Sequence, residues 1–88
     1  MNWKGKVSKK VMEDATLSVG AKCLYALLCC YADHHTGVCY PSVNELRLKM
    51  GYTDRTAVTR QMRELMRRGV ITRIKKSGKN TVTMINDW

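Results

Sequence analysis

Two glycines constrain this chain more than any other feature. Gly51 and Gly69 each close a stretch that fits an amphipathic helix, with a tight connection between the two. The first helix opens at Ser42, whose hydroxyl suits an N-cap, with Glu45 three residues on as in a capping box. Val43, Leu46 and Met50 share one of its faces, and Gly51 supplies the left-handed position that ends it. Tyr52 and Thr53 form the connection. Thr53 is expected to cap the second helix, with Asp54 in its first turn complementing the dipole. That helix runs to Arg68, gathers Val58, Met62, Leu65 and Met66 on one side, and stops at Gly69.

The rest of the chain reads as support for this pair. Ser18 is an N-cap for a helix dense in apolar residues from Ala21 to Ala32, where Leu24, Leu27, Leu28 and Tyr31 recur at helical spacing. A helix apolar nearly all round is a central one. The turn residues His34-His35-Thr36-Gly37 end it, and Val38-Cys39-Tyr40 fits a short strand. Val70 to Lys76 is rich in Val, Ile and Thr, as a strand is. With the turn Ser77-Gly78-Lys79-Asn80 and a second strand from Thr81 to Ile85, it makes a hairpin. The fold class is mainly α with a small β-hairpin, α+β. Residues 1–16 read as a basic arm or a short helix around Ser8 to Glu13, and residues 17–88 as one domain.

The net charge of +9 on 88 residues points to a polyanionic partner. Most of the excess lies in the second half: between Asn44 and Lys79 there are eleven basic and three acidic residues. No run of apolar residues is long enough to span a membrane, and no signal-peptide pattern follows Met1. The four cysteines, at 23, 29, 30 and 39, lack the spacing of a secreted disulfide framework and read as buried thiols in a reducing cytoplasm. Cys29, Cys30, His34, His35 and Cys39 lie close in sequence, which keeps a small zinc-binding protein open as an alternative. No CxxC pair is present, however, and Cys23 is about 10 Å up the helix at its ~1.5 Å rise per residue. No acidic pair, Gly-rich phosphate loop or Ser-His-Asp arrangement stands out, so we expect no enzyme, no cofactor, no metal and no small-molecule substrate.

The second Gly-ended helix carries the functional signal. With Val58 at zero on a wheel of about 100° per residue, Thr56, Thr59, Arg60, Arg63 and Arg67 fall between about 100° and 200°, opposite the apolar face. That face carries three arginines and no acid, whereas a merely solvated helix mixes signs. It suits the major groove of double-stranded DNA, where Arg donates twice to guanine and Thr packs on thymine. Arg55, Thr56, Thr59, Arg60 and Arg63 are the candidate DNA-binding residues of this helix, and the first four lie toward its N-terminal half, the part that usually reaches base edges. Ser42 and Asn44, at the start of the preceding helix, are candidates for holding a phosphate. Lys75, Lys76, Lys79 and Asn80, around Gly78, are candidates for contact with the backbone or minor groove. RNA fits less well, since no exposed aromatic stacking surface is evident.

Two stretches also carry a resemblance. Leu17-Ser18, Ala21-Lys22, Leu24 to Leu28, Tyr31-Ala32-Asp33, Thr36-Gly37 and Cys39-Tyr40-Pro41-Ser42 resemble the N-terminal DNA-binding domain of phage and plasmid replication initiators. Thr53 to Arg60, Leu65 and Arg68-Gly69-Val70-Ile71 resemble the recognition helix and wing entry of MarR-type regulators, within the winged helix-turn-helix superfamily. The resemblance implies a three-helix core plus a two- to three-stranded wing, a recognition helix over 54–68 and a wing over 73–80. It further implies sequence-specific DNA binding in transcriptional regulation or replication initiation, in a bacterium, phage or plasmid, with a homodimer as a possible form. Two positions depart from the pattern. Arg47 stands where such domains often place a small residue, and the connection from Gly51 to Asp54 is one residue longer than in many members. A winged-helix module that binds proteins instead of DNA is the alternative from another class.

Overall fold

The computed structural model describes residues 7–75 and 81–86. Four helices, α1 (Lys9–Met12), α2 (Val19–Tyr31), α3 (Val43–Met50) and α4 (Thr56–Arg67), accompany three strands, β1 (Val38–Cys39), β2 (Ile71–Lys75) and β3 (Thr81–Ile85). The strands form one antiparallel sheet in the order β1-β3-β2. α2, α3 and α4 pack on one another, and α4 also packs on β2. Leu24, Tyr25 and Leu28 of α2 meet Leu46 of α3, Val58, Met62 and Leu65 of α4, and Ile71 and Ile85 of the sheet in one core. Val11 of α1 reaches the same core, and the Ser8 N–H donates to the Tyr25 hydroxyl at 2.6 Å.

Helix ends follow local chemistry. Ser18 Oγ accepts from the Ala21 N–H at 3.1 Å and Ser42 Oγ from the Glu45 N–H at 3.0 Å, each satisfying a free donor of a first turn. Gly51 takes φ 84°, and its N–H bonds back to Arg47 O and Leu48 O. Only half of the capping box at Ser42 forms. The Glu45 carboxylate lies instead beside the Tyr31 hydroxyl, whose pKa is raised chiefly by burial and then by this neighbour.

Three expectations need correction. Thr53 does not cap α4, which begins at Thr56; Asp54 Oδ1 accepts the Thr56 N–H at 2.9 Å and turns the chain into the helix. Met66 is 37% exposed, while Gln61, on the other flank of the apolar arc, is only 6% exposed. α2 approaches α4 from the Gln61 side, and Gly20 opens room for that approach: a Cβ there would collide with Gln61 Nε2 and come within 3.0 Å of its Cδ. Lastly, α2 is covered on one side only. Cys29 and Cys39 are buried, but Cys23 and Cys30, two turns apart, face outward with Val19.

Candidate nucleic-acid interface

The connection between α3 and α4 is braced by the departure noted at Arg47. Its Nε donates to Asn44 Oδ1 at 3.0 Å, and its Nη1 donates to Tyr52 O at 3.1 Å and Thr53 O at 3.5 Å. A small residue there would leave those carbonyls without this partner. Behind the connection, Gln61 Nε2 donates to the Tyr52 hydroxyl at 2.8 Å. The start of α4 is thus tied to both its neighbour and its own second turn.

The outward face of α4 is accordingly well placed. Arg55, Thr56, Thr59, Arg60 and Arg63 line one groove of about 750 Å³, with Val43 and Asp54 at its edge. All five are exposed, and among the described residues their side chains make no hydrogen bond. Asp54 is the one acid in the lining. Glu64 sits beside this face but is committed elsewhere. It accepts the Ser18 N–H at 2.6 Å and the Ser18 hydroxyl at 2.8 Å, which hold its carboxyl below the ordinary 4.5. Arg67 and Arg60 lower it further.

Ser42 and Asn44 lie along a second groove, of about 300 Å³, that shares Arg55 with the first. Arg47 holds Asn44 Oδ1, leaving the Asn44 amide nitrogen to donate outward. Arg73 and Thr81 of the sheet complete the lining with Tyr40 and Pro41. Lys75 is exposed at the end of β2, two residues beyond Arg73 and therefore on the same sheet face. Lys76, Lys79 and Asn80 lie outside the described residues, as do Trp3 and Trp88. Leu48, off the core face of α3, is 61% exposed. Tyr40 is 63% exposed beside Arg73, so an exposed aromatic side chain is present after all.

Sequence reasoning missed Arg73 as a site residue. The signal was available: in a strand anchored inward by Ile71, residues 73 and 75 point to the same side. Arg73 was passed over because the lysine cluster beyond it dominated the charge pattern.

A family model described as a helix-turn-helix domain matches residues 15–71, well over half of the chain. The chain belongs to that helix-turn-helix family. Membership points to DNA binding, and the matched span runs from the loop before α2 through α4 to the first residue of β2. No curated protein and no solved structure matches this helix-turn-helix chain. Among its described residues, no helix is long and apolar enough to cross a membrane, and no group of three or more His, Cys, Asp or Glu is placed to hold a metal ion.

Proposed function

We propose that this protein is a winged helix-turn-helix reader of double-stranded DNA. α4 enters the major groove, and the β2–β3 hairpin is the wing that follows the backbone or the minor groove. One observation carries the reading: Arg55, Thr56, Thr59, Arg60 and Arg63 share a single open groove, while Val58, Met62 and Leu65 on the reverse of the same helix are buried. Arg55, Thr56, Thr59 and Arg60, near the helix start, face base edges. Arg63 and Arg67, further along, meet phosphates, and Lys75 begins the wing's basic edge. Ser42 and Asn44 set the register on the backbone.

The protein acts by binding and not by catalysis. Burial pushes the Cys29 and Cys39 thiols up to about 11, which keeps both protonated and poorly nucleophilic. Its role is control of transcription or of replication initiation, each of which needs a duplex read by sequence. As a homodimer it would set two α4 helices on half-sites about 34–36 Å apart.

Fluorescence anisotropy on random-sequence duplex DNA, across a salt series, tests the reading. Wild type is expected to bind with a steep negative dependence on salt, and the Arg60→Glu/Arg63→Glu variant to lose most of that binding. A folded wild type that ignores DNA even at low salt would overturn the proposal. Binding of a protein partner retained by the double variant would favour an interaction module. Stoichiometry in the same titration separates one copy per site from two.

A further inference from the structure

The second groove differs from the first in having no acidic residue in its lining. Arg55 and Arg73 both line it. The remaining polar lining consists of uncharged groups, chiefly Ser42, Asn44, Thr81 and the Tyr40 hydroxyl. Arg73 is the more unusual of the two cations. It is half-buried, and its Nε is shut away from solvent with no hydrogen-bond partner among the described residues. Burial alone pulls its pKa down. Cys39, whose thiolate would favour the charged arginine, gives no compensation, because that thiol is itself pushed up to about 11 by burial and stays neutral. Thr83, directly across the sheet from Arg73, has a buried hydroxyl that is also unpartnered. A half-buried cation with its Nε desolvated and no anion beside it contributes little to the folded state, and an uncharged side chain of similar size is expected to serve stability as well. An arginine at this place, beside a second arginine, is accounted for if an anion enters the groove from outside.

We propose that this groove seats one phosphodiester of the DNA backbone between Arg73 and Arg55, which makes Arg73 a positioning residue for the DNA-bound state. The proposal rests on the duplex-DNA reading above and deepens it. Arg55 borders both grooves, so it links the seated phosphate to the face of α4 that meets the bases. Ser42, Asn44 and Tyr40 offer neutral donors to the same phosphate. A cation supplied by a strand and another supplied by the helix start would fix the tilt of α4 in the groove, since the two elements are separate parts of one rigid core.

The test is the salt dependence of duplex binding for wild type, Arg73→Gln and Arg73→Lys, with melting of each protein measured without DNA. Loss of one phosphate contact should make the slope of log affinity against log salt shallower by about one unit, uniformly across DNA sequences. Arg73→Gln is expected to show that change and a several-fold loss of affinity, with a melting temperature equal to or above wild type. Arg73→Lys is expected to restore the slope. If wild type binds and Arg73→Gln keeps the full slope, the groove holds no phosphate and the inference is overturned while the DNA reading stands. A fall in melting temperature for both variants, with no rescue by lysine, would make Arg73 a packing residue and also overturn it. A wild type that binds no DNA removes the underlying reading itself.

Discussion

Gly20 lies against Gln61 where α2 meets α4, with no room for a Cβ between them, so the two residues should be energetically coupled. Alanine at position 20 gains about 0.8–1.0 kcal/mol of helix propensity over glycine. It also displaces the Gln61 amide and breaks its hydrogen bond to Tyr52, and a lost bond at a buried amide costs about 1–3 kcal/mol. Gly20→Ala should therefore destabilise the protein by roughly 1 kcal/mol. In a Gln61→Ala background the obstruction is gone, and the same change should stabilise it by nearly the propensity difference. Chemical denaturation of the four proteins of this cycle checks the reversal; equal effects in both backgrounds would mean that the contact does not matter. Glu64 gives a second prediction at this scale. Its hydrogen bonds to Ser18 lower its folded pKa, so its contribution is complete above the ordinary 4.5 and is lost as pH falls through the depressed folded value. Glu64→Gln should lower the melting temperature at pH 7, and the gap to wild type should close in acid. A gap independent of pH would assign the effect to packing.

At the scale of elements, the connection from α3 to α4 is the part most open to a single change. Arg47→Ala removes the donors to Tyr52 O and Thr53 O and leaves the outer face of α4 untouched, though it also releases Asn44 Oδ1. Stability should fall by about 1.5–3 kcal/mol, the range of hydrogen bonds made by a charged group. DNA affinity, measured well below the melting temperature, should fall too, because the angle of α4 is no longer fixed. Unchanged affinity in a folded Arg47→Ala protein would show that the turn holds its shape without the arginine. These elements also show what a sequence makes legible. Ser18, Ser42, Gly51 and Gly69 act on backbone groups within a few residues, and their helix ends were readable for that reason. The start of α4 was not, since Thr53 and Asp54 are adjacent and both suit a cap. Nor does the wheel choose between Met66 and Gln61, which sit at about 80° and −60° from Val58 on either flank of the arc. Only the side from which α2 arrives decides between them. Arg73 is a mixed case: strand alternation puts it on the face of Lys75, but the groove it shares with Arg55 exists only when β2 lies beside the start of α3.

For the whole molecule, the charge of +9 sets two salt dependences of opposite sign. Like charges on a small fold repel one another, so added salt should raise the melting temperature of the free protein. The same salt competes for phosphates and should weaken duplex binding steeply. Thermal melts and anisotropy over one salt series measure both, and parallel trends would contradict a surface dominated by unpaired cations. Arg68 and Asp14, 3.6 Å apart with both side chains partly open to solvent, will not offset this, because a single solvent-accessible pair contributes little.

The division of α4 into two independent faces reaches beyond this one protein. The side chains of Arg55, Thr56, Thr59, Arg60 and Arg63 make no hydrogen bonds among the described residues, and Val58, Gln61, Met62 and Leu65, which hold the helix in place, do not line the groove; Asp54, at the helix start, serves both. Substitutions on the outer face are therefore nearly free of folding penalties. If the proposed reading of DNA by this face holds, a lineage built on this scaffold could change the sequence it reads through a handful of substitutions, each intermediate still folded, and an engineer could take the same route deliberately.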